Sequence, residues 1–150
     1  MNKSPAPESL IAGITRVAAR LEAGLARAVE DASGLTLAQL SFLRCVQAGG
    51  GALSLGGVAE RLSCAKSNAT QLADRLEAQR LIVRSPDPAD GRCVRALLTA
   101  EGRLRLAAGE SARCAAAAAL LGNVPAAELE ELVALLDRVR TAAGGEDGVE

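Results

Sequence analysis

Arg92 stands near the tip of SPDPADGRCVRALLT (residues 85–99), two residues after Asp90 and beyond Pro86 and Pro88. A guanidinium on a projecting, proline-stiffened loop suits insertion into the minor groove of DNA, where narrow A·T-rich stretches concentrate negative potential. Asp90 is placed to hold that guanidinium by a charge-assisted bond; the plainer alternative is a solvated surface pair. A second cluster lies in SCAKSNATQ (63–71). Asn68 and Gln71 can pair bidentately with adenine, and Lys66 with guanine or phosphate. Ser63 and Ser67, beside a helix N-terminus, suit phosphate. The alternative for this cluster is an ordinary polar helix face. Arg75, Arg84 and Arg95 are either DNA-backbone contacts or internal ion pairs, and the sequence does not separate the two. Asp74 reads as a partner for one of these arginines.

Cys64 falls next to the start of a helix, where the dipole favours thiolate, so its oxidation would set a charged or bulky group against DNA. Its ordinary reading is a small uncharged residue. Cys93 is a lesser redox candidate, and Cys45 and Cys114, among apolar neighbours, read as core. The four cysteines form no CxxC pair and there is no histidine, so neither a zinc nor a haem site of the usual kind is expected. No carboxylate pair has a telling spacing, and the glycines at 49–51 are not followed by the lysine and helix of a phosphate loop. No catalytic residue, metal or cofactor is expected.

These side chains need elements to position them. Leu10, Ile14, Val17, Leu21, Leu25 and Val29 recur every three or four residues, one stripe of a helix that Ser33-Gly34 breaks. Thr36 with Gln39 forms a capping-box pattern for a helix carrying Leu40, Leu43 and Val46, which Gly49–Gly51 end. Two or three extended residues and a short helix with Val58, Ala59 and Leu62 inward follow. Ser63 is expected to cap the next helix, from Ala65 to about Gln79, whose inward side is Ala69, Leu72, Ala73 and Leu76. LIVRS and the alternating residues 93–98 form a two-stranded hairpin, exposed at an edge because proline cannot sit in a central strand, with Asp90-Gly91 as turn signal. Thr99 caps a helix from Ala100 to Leu121. A last helix from Pro125 to Ala143 carries Leu129, Leu132, Val133, Leu136 and Val139 on one face, and GGEDGVE reads as a frayed acidic tail.

The chain of 150 residues fits one domain. It is 49% hydrophobic with one Phe and neither Tyr nor Trp, so Ala, Leu and Val must build a mainly helical core. Charged residues interrupt every apolar stretch before it could span a bilayer, and MNKSPAPESL lacks the features of a signal peptide. A cytoplasmic protein with reduced thiols is expected. Net charge is −1, yet residues 61–95 hold seven basic residues (Arg61, Lys66, Arg75, Arg80, Arg84, Arg92, Arg95) against four acidic ones (Asp74, Glu77, Asp87, Asp90). The basic excess is local.

The order is helix, helix, short strand, helix, helix, hairpin and two long helices, α-β-α-α-β-β-α-α from the second helix onward. With LTLAQLSFL (35–43), ADRLEAQRLIVRSPDPADGR (73–92) and ALLTAEGRL (96–104), it resembles the MarR family of multiple-antibiotic-resistance regulators. The resemblance implies a mainly α fold with a small β-hairpin, a winged helix-turn-helix within a single domain of residues 1–150. Residues 35–99 would be the DNA-binding lobe, and 8–31 and 100–143 the dimerisation helices. It further implies a homodimeric, sequence-specific transcriptional regulator, a repressor on a pseudo-palindromic operator of double-stranded DNA, released by a small molecule or an oxidant. A small aromatic or acidic effector would find its only aromatic wall in Phe42 and a carboxylate partner in Arg16 or Arg20. The organic-hydroperoxide branch senses through a cysteine in the first helix supported by tyrosines, which this chain lacks.

The sequence departs from the family twice. Arg80 stands where members usually have the glycine that ends the recognition helix, which predicts a different exit turn. Gly91 stands where members often have arginine, which predicts a looser wing tip. A dimeric interaction or ligand-sensing module that has lost specific DNA binding is the alternative, favoured by the near-neutral charge, Gly91 and the acidic C-terminus.

Overall fold

In the computed structural model, residues 6–143 are described; the acidic tail expected at 144–150 and the first five residues lie outside them. Helix α1 (Pro7–Ser33) starts with proline in its first turn and ends at Gly34 in the left-handed conformation. Helix α2 (Leu37–Ala48) has the full capping box: Thr36 Oγ1 accepts the Gln39 N–H and Gln39 Oε1 accepts the Thr36 N–H. Strand β1 (Ala52–Ser54) leads into α3 (Leu55–Arg61), capped by Ser54, and then come α4 (Lys66–Ala78), β2 (Ile82–Pro86) and β3 (Val94–Leu98). Thr99 caps α5 (Ala100–Leu121) by accepting the Gly102 N–H. Pro125 sits at the N-cap of α6 (Ala126–Ala142), one position before the first turn where the sequence places it.

The hairpin is not alone. β1 pairs antiparallel with β3, giving a three-stranded sheet in the order β1-β3-β2. Pro86 ends the edge strand β2, opposite Val94, where its missing N–H costs no ladder bond. Ala96 and Leu98 of β3 face the core and Val94 is exposed.

Three helices end in the same hydrogen-bond pattern. Gly51, Cys64 and Leu81 donate to Val46, Ala59 and Leu76, and their preceding residues Gly50, Ser63 and Arg80 donate to Gln47, Glu60 and Glu77. That is the Schellman motif, which needs a left-handed residue after the cap. Gly50 meets the need cheaply, but Ser63 (φ 48°) and Arg80 (φ 59°) meet it with a Cβ, at a cost of about 1 kcal/mol each. Two expectations are thereby corrected. Ser63 closes α3 and does not cap α4, whose N-cap is Ala65 with no side-chain bond. The α4 exit turn keeps the left-handed geometry that glycine would favour, because buried Leu76 and Leu81 anchor both sides of it.

The core of Val29, Leu35, Leu40, Phe42, Leu43, Val46, Val58, Ala73, Leu76, Leu81, Ile82, Ala96, Leu98 and Leu106 lies within the winged lobe and where α1 and α5 join it. α5 approaches closely: a Cβ on Gly102 would lie 2.0 Å from the Leu81 carbonyl oxygen. Cys45 is only half-buried and Cys114 is exposed, so neither is core as expected; an alanine-rich helix is apolar all round and its composition does not show which side is covered.

Candidate nucleic-acid interface

Helix α4 buries Ala69, Ala73 and Leu76 against the lobe and leaves Lys66, Ser67, Asn68, Gln71, Asp74 and Arg75 exposed. With no side-chain cap at Ala65, the positive end of its dipole is uncovered. Its first turn therefore presents Lys66, Ser67 and Asn68, with Gln71 one turn further and Arg75 beyond, the arrangement by which a helix enters a major groove N-terminus first. Ser63 lies just before this turn, exposed.

The wing is held from inside by two aspartates. Asp87 Oδ1 accepts the Ala89 N–H at 2.8 Å, and the Asp87 N–H reaches the Cys93 carbonyl at 2.8 Å. Asp90 Oδ1 accepts the backbone N–H of Arg92 at 3.0 Å. The expected bond between Asp90 and the Arg92 guanidinium is therefore replaced by an Asx-type bond to the main chain. The guanidinium has no ion pair among the described residues and projects from the tip.

Arg84 and Arg95 face inward. Arg84 is ion-paired with Asp74, its Nε lies 3.4 Å from Glu77 Oε2, and its Nη2 donates to the Thr70 carbonyl at 3.5 Å. The Nε contact is an ion pair without hydrogen-bond alignment. Arg95 pairs with Asp87 at 3.7 Å and donates to the Ala52 carbonyl at 3.4 Å, tying β3 to β1. Two arginines thus offset two of the three negative charges of Asp74, Glu77 and Asp87. Arg61, Lys66, Arg75, Arg80 and Arg92 remain without an acidic partner among the described residues, and of these Arg61 donates to the Cys45 carbonyl.

The redox and effector candidates do not assemble. Cys64 is half-buried within the α3–α4 turn. The charge of Asp90, with smaller help from desolvation and the Asp90 hydrogen bond, raises the pKa of the exposed Cys93 and keeps it a thiol. Burial likewise pushes the Cys45 thiol up, against the pull of Arg61 and Arg44. Phe42 is fully buried in the core and offers no face to a ligand, while Arg16 and Arg20 are exposed along α1. A cleft of about 450 Å³ between α2 and α5 instead gathers Arg44, Gln47, Arg103, Leu106, Ala107 and Glu110. Sequence reasoning misses Arg44 and Arg103; their only signal is a shared exposed face with Gln47, which means little until α5 is laid beside α2. Among the described residues no helix is long and apolar enough to cross a membrane.

The family model described as MarR family matches residues 33–92, from the end of α1 through helix-turn-helix and wing. No curated protein sequence matches the chain. Among solved structures, Sco5413, a MarR family transcriptional regulator from Streptomyces coelicolor, is 27% identical with a TM-score of 0.77, covering 94% of this chain and 97% of its own. BpsR of Bordetella bronchiseptica, solved to explain regulation of its DNA binding by 6-hydroxynicotinic acid, is 27% identical with a TM-score of 0.75, covering 93% and 96%. CouR from Rhodococcus jostii RHA1, bound to p-coumaroyl-CoA, shares the fold at 24% identity and a TM-score of 0.76, covering 98% and 100%. The likeness thus extends from the matched segment through the terminal helices: residues 33–92 match the MarR family model, and the chain as a whole is similar in fold to MarR-family transcriptional regulators of known structure.

Proposed function

We propose that the protein is a cytoplasmic, homodimeric repressor that reads a pseudo-palindromic operator. The observation that carries this reading is the Arg92 guanidinium, without an ion pair among the described residues, at a braced wing tip beside an uncapped helix whose exposed face is Lys66, Ser67, Asn68 and Gln71. In this reading Asn68 and Gln71 contact bases, while Lys66, Ser67, Ser63, Arg75 and Arg92 contact backbone or minor groove. Arg84 and Arg95 build the surface, and Asp90 shapes the wing. Residues 35–99 form the DNA-binding lobe, and the helices at 8–31 and 100–143 pair with a second copy. Half-sites lie about one helical turn, ~10 bp, apart.

The effector is a small aromatic acid, as 6-hydroxynicotinic acid, named for BpsR, suggests. The α2–α5 cleft supports it, since Arg44 and Arg103 there can meet a carboxylate. Replacing Arg92 with Ala is the decisive test. Affinity for the operator falls about tenfold or more with sequence preference unchanged, and the salt slope drops by about 0.9 for each phosphate left without its cation. An unchanged affinity removes the wing from the interface. A wild-type protein that shifts no upstream DNA even at low salt removes the DNA-binding role in favour of an interaction module.

A further inference from the structure

Arg84 joins the two parts that the proposed function requires to act together. It leaves β2, at the root of the wing, and reaches Thr70, Asp74 and Glu77, which follow one another along a single side of α4. Its backbone N–H adds a fourth link, donating to Glu77 Oε1 at 3.2 Å. The Arg84 side chain is largely covered, at 23% exposure, while those of Asp74 and Glu77 are 60% and 44% exposed. The cation is therefore withdrawn from solvent, and the carboxylates come to it.

We propose that Arg84 is a positioning residue for DNA recognition. It sets the distance and angle between the recognition helix and the wing, and makes no contact with phosphate itself. This rests on the DNA-binding reading above. The geometry favours a clamp because the planar fork addresses one carbonyl and two carboxylates on consecutive turns of α4, which a lysine could not hold together. A duplex must meet Arg92 and the first turn of α4 at once, so any freedom between wing and helix is lost on binding, at an entropic cost. A preset clamp removes that cost beforehand. Arg84 also offsets one of the two negative charges of Asp74 and Glu77, which would otherwise face the DNA in full.

The test turns on a reversal of sign. Asp74→Asn together with Glu77→Gln removes two negative charges from the DNA-facing lobe, which by electrostatics alone strengthens binding. If Arg84 is a clamp, the double variant instead binds the operator about tenfold more weakly, with the salt slope of wild type. Arg84→Gln does the same, and Arg84→Lys recovers only part of the loss. Combined with Arg92→Ala, the loss from Arg84→Gln is less than additive, because an unpositioned wing has less to lose.

Tighter binding by the carboxylate variant, or a salt slope reduced by about 0.9 in Arg84→Gln, overturns the proposal and makes Arg84 a phosphate contact. Hydrogen exchange on the DNA-free protein keeps the clamp testable should no operator be bound. Arg84→Gln must then speed exchange in the wing amides of 84–95 while those of α2 and α5 stay protected. Unchanged wing exchange, or acceleration across the whole chain, also refutes it.

Discussion

The winged lobe and the terminal helices are built from the same few residue types but stand in opposite condition. In the lobe Leu35, Leu40, Phe42, Leu43, Val46, Val58, Leu76, Leu81 and Ile82 are sealed from solvent, and Val83 and Val94 are its exposed large apolar residues. Helix α6 buries no residue, α1 buries only Val29 and Ser33, and the buried residues of α5 stop at Gly109. Leu10, Ile11, Ile14, Val17, Leu132, Val133, Leu135, Leu136 and Val139 are exposed along these helices. An apolar cleft of about 530 Å³ opens where α1 and α6 meet. A lobe that closes on itself can fold from its own contacts, whereas long apolar stripes left in water call for a second surface. The difference is consistent with the proposed division, recognition by the middle of the chain and pairing by its ends, by which the proposed dimer would present two wings.

The largest expected effect tests that division directly. Leu132→Asp with Leu136→Asp, on the exposed stripe of α6, should weaken self-association by more than about a hundredfold, since burying each leucine is worth roughly 1.5–3 kcal/mol. Analytical ultracentrifugation should find a monomer whose lobe retains its protected amides. A variant that sediments like wild type would break the contrast between the two regions.

Within the lobe, Gly102→Ala sharpens the contrast from the other side. The added methyl meets the Leu81 carbonyl, a backbone atom that cannot turn away. Thermal unfolding should show a loss of about 2–3 kcal/mol, the range of overpacked sites. A neutral result would mean that α5 is less firmly seated on the lobe than its approach to Leu81 indicates.

The smallest effect has the opposite sign. Arg80→Gly should stabilise by about 1 kcal/mol in urea unfolding, by relieving a Cβ held at positive φ. Destabilisation instead would show that the Arg80 side chain, exposed and without an acidic partner among the described residues, makes an interaction that outweighs the strain.

Much of the architecture could be read residue by residue, since its signals are local. Thr36 with Gln39 marked the start of α2, Gly34 the end of α1, and Thr99 the start of α5. Pro86, Pro88 and the Asp90-Gly91 pair marked the wing, and the resemblance to the MarR family joined these pieces into an order that the structure carries and the family match covers over residues 33–92. The misreadings share one cause. Ser63 has the chemistry of a cap for α4 and the position of a closing residue for α3, and only the backbone hydrogen bonds tell the two apart. The short strand before α3 is expected from the sequence, but that β1 pairs with β3 as the third strand of the sheet is seen only in the register.

The candidate site divides in the same way. Sequence alone determined that a polar helix and a stiff basic hairpin lie in succession, because amphipathic period, caps and proline act over a few neighbouring residues. Only the tertiary structure decided that Arg84 and Arg95 turn inward while Arg92 has no ion pair among the described residues, that Asp90 serves the main chain, and that Phe42 is sealed away from any effector. A charged or aromatic side chain takes its role from whatever lies across space from it, and that neighbour belongs to another element.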